Sequence, residues 1–276
     1  MEKKRLDILM EERGIAHSRT LAQRLIMAGS VRVNGRVVLK PGEKVSENEL
    51  IELSQAPRFV SRGGEKLQAA LESFGLTSLE EQICVDVGAS TGGFTDCLLQ
   101  HKAAKVYALD VGYGILDWKI RTHERVIVME KTNARFVTEF PDPIDLVVID
   151  ASFISLKTLL PVIQSWFTKP AGRVIALIKP QFEAGRAEAA RGSGVIRDPL
   201  IHRRVLLDLL SFARDKGFQI DGLIKSPLTG PKGNTEFLVN LSMPRYRDIE
   251  LMPLIDAVLP QPASVKPESE SGTEMK

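Results

Sequence analysis

The stretch 85-VDVGASTGGFTD-96 joins an apolar run of strand length to a segment with the composition of a helix start. Glycines at positions 88, 92 and 93 lie at the turn between them. A glycine at such a turn lets a ligand approach the backbone without meeting a Cβ atom. In open α/β sheets, ligands bind beyond the carboxyl ends of the strands. The stretch therefore predicts a strand, a ligand-binding turn and a helix in that order.

The same alternation of short apolar runs and helix-length stretches continues from about residue 66 to residue 245. The runs are 83-ICVDVGA-89, 105-KVYALDV-111, 126-VIVMEK-131, 144-IDLVVIDA-151, 173-RVIALIKP-180, 218-FQIDGLI-224 and 236-EFLVNLSM-243. Continuous hydrophobicity is typical of strands that are buried on both faces, so we predict a mostly parallel, doubly wound α/β sheet. The last two runs lie close together in sequence, and we expect an antiparallel strand at that edge.

The first 53 residues have the pattern of a small α+β module. Ser18 is expected to cap a helix through RTLAQRLIMA that ends at Gly29, with an apolar stripe of Leu21, Leu25 and Ala28. In 31-VRVNGRVV-38, the Asn-Gly pair between two alternating runs predicts a two-residue β-hairpin. The segment 45-VSENELIEL-53 predicts a loop and a further strand.

These patterns divide the chain into four parts. We predict a small domain at 1–53, a linker at 54–65, a large α/β domain at 66–245 and a C-terminal segment at 246–276. The linker contains Pro57 and the pair Gly63-Gly64, which are typical of loops. The stretch 260-PQPASVKPESESGTEMK-276 is polar and rich in Pro, Ser and Glu, so disorder is expected from about residue 260.

The overall composition excludes several classes of protein. Lys and Arg number 37 against 35 Asp and Glu, so the net charge of +2 does not by itself indicate a partner. The two cysteines, Cys84 and Cys97, lie in apolar segments, which predicts buried thiols in a reducing, cytoplasmic compartment. The four histidines have no partners at metal-ligand spacing, and we predict no metal site. Neither a membrane span nor a signal peptide is expected.

Charge is distributed unevenly within the small N-terminal module. Between Arg13 and Lys40 the chain has six basic residues and no acid. Such a segment favours contacts with nucleic-acid phosphates, although a solvated domain with scattered arginines remains an alternative. A two-residue turn would place Arg32 and Arg36 on opposite faces of the hairpin, so a basic face would need helix arginines. The predicted RNA-binding residues are Arg5, Arg19, Arg24, Arg32, Arg36, Arg58 and Arg62.

Polar residues at the ends of the first three strands predict a cofactor that contains adenosine. Asp110 ends the second strand, where an acid typically binds a ribose, and Asn133 follows the third strand, where it could contact an adenine edge. The order 88-GASTGG-93 lacks the second glycine of a dinucleotide-binding loop. NAD binding and a purely structural glycine loop remain less favoured alternatives.

An acid inside the first strand followed by G-x-x-x-G-G resembles enzymes that use S-adenosylmethionine, with Asp86 close to the cationic end of that cofactor. The predicted cofactor-binding residues are Asp86, Gly88, Ala89, Ser90, Thr91, Gly92, Gly93, Phe94, Asp110 and Asn133.

Four ionisable residues lie at the edges of the predicted buried elements: Lys66, Asp150, Lys179 and Glu236. Charges at such positions are costly unless they pair, so a structural ion-pair cluster is one interpretation. In the predicted topology, however, the ends of the fourth and fifth strands lie beside the glycine loop. A catalytic set at that loop is the other interpretation.

This set resembles the Lys-Asp-Lys-Glu tetrad of FtsJ-type RNA 2′-O-methyltransferases, and more closely the TlyA/hemolysin A family of ribosomal RNA methyltransferases. The motifs that carry the resemblance are 62-RGGEKL-67, 86-DVGASTGGFTD-96, 109-LDVGYG-114, 147-VVIDASFISL-156, 177-LIKPQFE-183 and 235-TEFLVNL-241. The resemblance implies a methyltransferase domain of Rossmann-like fold and an N-terminal RNA-binding domain of the S-four type. It also implies S-adenosylmethionine as cofactor and ribosomal RNA or ribosomal subunits as partners.

The resemblance implies one role for each member of the tetrad. Lys179 would remove the proton of the ribose hydroxyl, and Asp150 would orient Lys179. Lys66 would be the neighbouring cation, and Glu236 would bond either the hydroxyl or Lys66. We also expect Arg58 and Arg62 to couple RNA contact to the cofactor site.

Three other functions remain open at this stage. Pseudouridine synthases carry a similar RNA-binding module, but 202-HRRVLLD-208 is a poor match to their catalytic stretch. A non-catalytic ribosome assembly factor would not need all four tetrad residues. A membrane-lysing protein would need a span, a signal peptide or a strongly amphipathic basic helix. The target nucleotide and the oligomeric state are left open.

Overall fold

The structure is a computed structural model that describes residues 3–27, 29–53, 58–169, 171–185, 188, 192–230 and 232–260. The predicted disorder from about residue 260 concerns residues that, apart from Pro260, lie outside this part of the chain. The chain forms two compact units, Met1–Arg58 and Phe59–Lys276.

The first unit contains short strands and two helices around a small apolar core. Its elements are β1 (Lys3–Arg5), α1 (Leu6–Glu12), α2 (Arg19–Met27), β2 (Val31–Val33), β3 (Arg36–Val37), β4 (Lys44–Ser46) and β5 (Ile51–Leu53). Strand β2 pairs antiparallel with both β3 and β5, whereas β1 pairs antiparallel with β4. Leu6, Met10 and Ile26 are fully buried where the helices meet.

Most of the predicted local structure of the first unit is confirmed. Helix α2 begins after Ser18, whose Oγ accepts a hydrogen bond from the Leu21 N–H at 3.2 Å. The hairpin turns at Asn34 and Gly35, with φ of 50° and 78°. The predicted stripe on α2 was centred on the wrong residues, because Ala22 and Ile26 are fully buried. Its third member, Ala28, lies outside the described residues. The apolar face is rotated so that Leu21 and Leu25 lie at its edge, half-buried. Elements β1 and α1 were not predicted.

The second unit is built on a seven-stranded sheet. Its strands are β6 (Ile83–Val87), β7 (Lys105–Leu109), β8 (Val126–Met129), β9 (Leu146–Ile149), β10 (Gly172–Ile178), β11 (Gln219–Lys225) and β12 (Phe237–Met243). Their order across the sheet is β11-β12-β10-β9-β6-β7-β8. Strands β6 to β10 are parallel, and β12 runs antiparallel to both β10 and β11. The predicted fold class is confirmed, with the antiparallel strand one position inside the edge.

Helices cover both faces of this sheet. They are α3 (Gly63–Ser73), α4 (Gly93–Gln100), α5 (Trp118–Arg121), a 3-10 helix (Ala134–Phe136), α6 (Leu156–Trp166), α7 (Pro180–Glu183), α8 (Pro199–Asp215) and α9 (Leu251–Val258). Leu67 of α3 and Leu98 of α4 pack on one face of the sheet. Leu160 of α6, Leu206 of α8 and Ile255 of α9 pack on the other. Both faces are therefore apolar, as continuous hydrophobic strands require.

The structure corrects the predicted boundaries of the large domain. Phe59 is buried in the same core as Leu67, and α3 begins at Gly63, so residues 59–65 belong to the second unit rather than to a linker. Pro57 and the glycine pair predicted a loop, but both glycines lie in α3, and a Cβ on Gly64 would overlap the buried Phe59 side chain. Beyond residue 245, helix α9 packs its buried residues Leu251 and Ile255 into the core.

The composition led to predictions about the cysteines, membrane spans and metal sites. Cys84 and Cys97 are both buried, as expected. Within the described ranges, no helix is long and apolar enough to cross a membrane. The same residues contain no group of three or more His, Cys, Asp or Glu side chains placed to hold a metal ion.

Candidate active site

The glycine loop after β6 is packed against two other segments of the chain. Gly88 has φ of 86°, and a Cβ there would lie 2.8 Å from the carbonyl oxygen of Asp150 at the end of β9. A Cβ on Gly93 would lie 2.2 Å from Ser61 Oγ and 2.9 Å from the backbone nitrogen of Gly64. The glycines were predicted to make room for a ligand. They also allow the end of β9 and the start of α3 to approach the loop.

The start of α3 brings Lys66 to Glu236. Lys66 Nζ donates to Glu236 Oε2 at 2.6 Å, and both residues are buried. The two residues are 170 positions apart in sequence. Glu236 lies at the start of β12 and is covered by the preceding loop, where a Cβ on Gly230 would lie 2.6 Å from Glu236 Oε1.

The ends of β9 and β10 bring Asp150 to Lys179. Lys179 Nζ lies 2.6 Å from Asp150 Oδ1 and donates to Ser152 Oγ at 2.9 Å. Lys179 is 8% exposed, so its ammonium depends on these oxygens rather than on water. These neighbours follow from the parallel pairing of β9 with β10, which places the carboxyl ends of both strands at one edge of the sheet.

Two clefts border this edge, and Gly88 lines both of them. The first has a volume of about 210 Å³ and is lined by Lys66, Asp150, Arg62 and Thr229 together with the glycine loop. The second has a volume of about 310 Å³ and is lined by Asp110, Asn133 and the residues that follow β9. The structure therefore gathers the tetrad as two ion pairs beside the predicted cofactor loop.

Asp110 is the best-connected of the predicted cofactor residues. Its two oxygens accept hydrogen bonds from the Ser90 and Gly112 N–H groups, each at 2.7 Å. This carboxylate therefore fixes the exposed tip of the glycine loop, where Ser90 has φ of 50°. A carboxylate oxygen can accept more than one hydrogen bond, so Asp110 can still receive ribose hydroxyls.

The other predicted cofactor residues differ in what they offer. Asn133 lines the larger cleft, and its side-chain oxygen accepts from the Arg135 N–H at 3.0 Å. Thr91 is exposed at the loop, next to buried Gly92. Ala89 and Phe94 are buried in the core, so they can present little more than backbone to a ligand.

Asp86 lies beneath the loop and has no exposed surface. Thr95 Oγ1 donates to Asp86 Oδ2 at 2.7 Å, whereas Asp86 Oδ1 is buried and has no hydrogen-bond partner among the described residues. The pKa of Asp86 is raised to about 7, mainly by burial and also by the charges of Asp150 and Asp110, although the Thr95 hydrogen bond opposes the rise. An orphaned carboxylate oxygen below the glycine loop fits a cofactor with a cationic end.

Sequence reasoning assigned no role to several residues that border Lys179. Phe153 is 90% exposed with φ of 63°, and its ring lies 4.9 Å from that of Phe182. Glu183 accepts hydrogen bonds from Ser155 and Leu156. The motifs 147-VVIDASFISL-156 and 177-LIKPQFE-183 contained these residues, but no pattern in the sequence indicated their contacts.

In the first unit, Asp7 brings Arg5 and Arg19 together. Arg5 Nε and Arg19 Nε each lie 3.0 Å from an oxygen of this fully buried carboxylate. The Arg5 hydrogen bond is the main reason that the pKa of Asp7 lies well below its usual range. Both guanidinium groups stay about half exposed. Asp7 lies before the acid-free segment in the sequence, and its ion pairs with Arg5 and Arg19 were not predicted.

The remaining predicted RNA contacts are more dispersed. Arg36 forms an ion pair with Glu43, whereas Arg32 donates to the carbonyl oxygen of Gly35 at 2.8 Å. The register pairs Arg32 with Val37 and Val33 with Arg36, which confirms opposite faces for the two arginines. Arg24 and Arg58 are exposed. Arg62 belongs to the second unit and lines the smaller cleft.

Each of the two units matches a known protein family. Residues 59–243 match the FtsJ-like methyltransferase family, and residues 4–51 match the S4 domain family. The first match covers more than half of the chain. It excludes the pseudouridine synthase alternative, because the catalytic unit is of a different class.

Individual relatives are similar over nearly the whole length. YqxC of Bacillus subtilis is 47% identical over 247 residues, which are 88% of this chain and 87% of that protein. The 16S/23S rRNA (cytidine-2′-O)-methyltransferase TlyA of Mycobacterium tuberculosis is 43% identical over 260 residues, or 92% and 95%. Hemolysin A of Brachyspira hyodysenteriae is 43% identical over 246 residues, or 86% and 98%.

A solved structure agrees with the sequence comparison. The chain described as "Putative hemolysin from Streptococcus thermophilus" has a TM-score of 0.70 and 42% identity. The similarity covers 93% of this chain and 96% of that chain. The predicted methyltransferase domain with an S-four-type module is thereby confirmed. The chain belongs to the FtsJ-like methyltransferase family, with S-adenosylmethionine as methyl donor and an S4 domain at its N-terminal end.

Proposed function

We propose that this protein transfers a methyl group from S-adenosylmethionine to a ribose 2′-hydroxyl of ribosomal RNA. One observation carries the proposal: two lysine–carboxylate pairs, in which both lysines are buried, lie beside the cofactor loop, and Lys66 and Asp150 line the same cleft. A ribose hydroxyl is a poor nucleophile until it loses its proton, whereas S-adenosylmethionine supplies a methyl group already activated on a sulfonium. The protein must therefore mainly position the hydroxyl and accept a proton.

Lys179 is the proposed general base. Lys179 Nζ must first lose a proton of its own, because only the neutral amine can act as a base. It would then accept the proton of the ribose hydroxyl while the hydroxyl oxygen takes the methyl group that the cofactor would supply. The 2.6 Å contact with Asp150 and the 2.9 Å contact with Ser152 aim this nitrogen and stabilise the ammonium that forms. Positioned proton transfer of this kind contributes about 10²- to 10⁴-fold to a rate.

Lys66 and Glu236 are proposed to position the acceptor. Lys66 Nζ can donate to the 2′-oxygen or to a neighbouring phosphate from the wall of the smaller cleft. Glu236 holds Lys66 through the 2.6 Å bond and prevents the lysine from turning away. Exposed Arg62 on the rim of the same cleft is suited to a phosphate of the RNA backbone.

The cofactor is proposed to lie across Gly88. Asp110 would accept the ribose hydroxyls, Asn133 would border the adenine, and the orphaned Oδ1 of Asp86 would favour the cationic end. The backbone of residues 88–93 would follow the methionine part. The cofactor held by these residues would supply the methyl group beside the cleft that Lys66 and Asp150 line, because Gly88 lines both clefts.

The S4 domain and the exposed aromatic residue near Lys179 support an RNA acceptor. Arg5, Arg19, Arg24, Arg32, Arg36 and Arg58 would contact phosphates from the first unit. Phe153, at 90% exposure, offers a ring on which the target base could stack outside the RNA helix. TlyA of Mycobacterium tuberculosis is named as an enzyme that acts on 16S and 23S rRNA at a cytidine 2′-oxygen.

The proposal is tested by incubating the purified protein and labelled S-adenosylmethionine with ribosomal subunits that lack the modification. We expect label in RNA, at a linkage that resists alkaline hydrolysis, because a methylated 2′-oxygen cannot attack the adjacent phosphate. Label at a linkage that remains labile would mean base methylation and would contradict the roles given to the tetrad. Cofactor binding without transfer to either subunit would favour an assembly factor. The cytoplasmic location remains a prediction.

A further inference from the structure

Glu183 connects the two segments that surround Lys179. It lies at the end of the short helix α7, four residues after Lys179. Its Oε2 accepts a hydrogen bond from Ser155 Oγ at 2.6 Å, and its Oε1 accepts one from the Leu156 N–H at 2.8 Å. The carboxylate therefore joins the segment that follows β10 to the segment that follows β9.

Each joined segment holds part of the environment of Lys179. The loop after β9 supplies Asp150 and Ser152, whose side chains contact the Lys179 ammonium. The same loop carries Phe153, whose ring lies 4.9 Å from that of Phe182, immediately before Glu183. A change in the separation of the two segments would alter all of these contacts together.

Helix capping alone does not account for Glu183. Ser155 already caps α6, since its Oγ accepts from the Lys157 N–H at 3.1 Å. Helix α8 has a cap of the usual exposed kind, since Asp198 accepts a hydrogen bond from the Leu200 N–H at 2.8 Å. Glu183 is more deeply placed, and burial raises the pKa of its carboxyl. Burying a carboxylate costs free energy, and Ser155 already caps α6 without that cost. Capping therefore does not explain why a glutamate is found at position 183.

We propose that Glu183 is a positioning residue for the methyl transfer: it fixes the loop that carries Asp150, Ser152 and Phe153 against the segment that carries Lys179. The inference rests on the proposed 2′-O-methyltransferase function. Glu183 acts through the geometry of Lys179 and does not touch the reacting atoms. A misplacement of about 1 Å at such a site can lower a rate by about 100-fold.

The test compares Glu183→Ala, Glu183→Gln and Asp198→Ala with the wild-type protein. Single-turnover transfer is measured at saturating S-adenosylmethionine and saturating ribosomal subunits, beside cofactor affinity and the unfolding midpoint. We expect Glu183→Ala to lower the rate by about 10- to 100-fold with cofactor affinity unchanged. Glu183→Gln should recover most of the rate, because its amide oxygen can accept the Leu156 N–H. Asp198→Ala should lower the unfolding midpoint without lowering the rate.

A double variant separates positioning from general loss of structure. If Glu183 acts through Lys179, adding Glu183→Ala to Lys179→Ala should not lower the residual rate further. A further fall, or a wild-type rate in Glu183→Ala, would overturn the inference. So would an equal loss of rate in Asp198→Ala at an equal loss of stability. A wild-type protein that methylates no ribose would instead overturn the proposed function itself.

Discussion

The two units use their charged side chains in opposite ways. In the second unit, the Lys66 and Lys179 side chains are each 10% exposed and are held at 2.6 Å from a carboxylate. In the first unit, the Arg5 and Arg19 side chains are 43% and 48% exposed, although both contact the buried Asp7. The lysines are withdrawn from water, whereas the arginines keep N–H groups at the surface.

This difference predicts separate roles for the charged residues of the two units. Buried charges interact strongly with their partners, and removing one partner leaves an uncompensated charge. Exposed charges are screened by salt and contribute little to stability, but they remain available to phosphates. Changes in the second unit should therefore affect chemistry and folding, whereas changes in the first unit should affect RNA affinity and its salt dependence.

The largest effect is expected at Glu236. Glu236→Ala would leave the Lys66 ammonium buried without its partner, and breaking such a pair costs about 3–5 kcal/mol in the free energy of unfolding. Denaturant unfolding measures this loss. The matched control is Glu80→Ala, because Glu80 pairs with Lys102 at the surface and its removal should leave the unfolding midpoint unchanged. Equal losses in the two variants would contradict the contrast between buried and exposed pairs.

A smaller effect is expected at Asp110. Asp110→Ala removes the acceptor of the Ser90 and Gly112 N–H groups and the proposed ribose contact. Hydrogen bonds to a charged group contribute about 1.5–3 kcal/mol, so the dissociation constant for S-adenosylmethionine should rise by about 10- to 100-fold. Isothermal titration calorimetry gives this constant. Asp215→Ala, at an exposed position, should bind the cofactor as the wild type does. Unchanged affinity in Asp110→Ala would exclude the ribose contact.

The pKa of Asp86 predicts that cofactor binding depends on pH. With a pKa of about 7, the carboxyl is mostly neutral at lower pH and ionised at higher pH. A cationic cofactor end favours the ionised form, so affinity should rise by about tenfold between about pH 6 and about pH 8. Titration calorimetry at both values tests this. Asp86→Asn should abolish the rise, and a rise that persists in that variant would assign it to another group.

The same shift has a consequence for the stability of the protein without cofactor. Because the pKa of Asp86 is raised on folding, the folded state binds its proton more tightly than the unfolded chain does. The contribution is fully present below the ordinary Asp pKa and is lost as pH rises through about 7. The midpoint temperature of thermal unfolding should therefore fall with rising pH more steeply in the wild type than in Asp86→Asn. Equal falls in the two proteins would mean that another group, not Asp86, causes the pH dependence.

The smallest effect is expected in the first unit. Arg24 is exposed on α2, and Arg24→Ala should weaken RNA binding at low salt with no change in folding. Loss of one phosphate contact should reduce the slope of log affinity against log salt by about 0.7–0.9. Binding measured over a salt series gives the slope. Arg214→Ala, on helix α8, serves as the comparison, and a slope lowered equally in both variants would contradict a specific role for the first unit.

The sequence allowed the sheet to be predicted because its strands are continuous apolar runs with polar residues at their ends. Parallel topology then places Asp150 and Lys179 at one edge. Lys66 and Glu236 also stood out as charges at the edges of predicted elements, and the resemblance to a known family grouped all four residues as one set. Contacts between distant segments could not be predicted. Asp7 with Arg19, and Glu183 with Ser155, depend on the tertiary packing of elements that no local pattern relates. The packing role of Gly93 against Gly64 depends likewise on how two helices meet.

The claim that the second unit catalyses transfer while the first unit binds RNA is tested most directly by single-turnover methyl transfer. The reaction is measured at a series of ribosomal-subunit concentrations. Wild type, Lys179→Ala and Arg24→Ala are compared at saturating S-adenosylmethionine. We predict that Lys179→Ala lowers the maximal rate by about 10²- to 10⁴-fold without changing the subunit concentration that gives half of it. Arg24→Ala should raise that concentration and leave the maximal rate unchanged. A Lys179→Ala protein with a wild-type maximal rate would contradict the account.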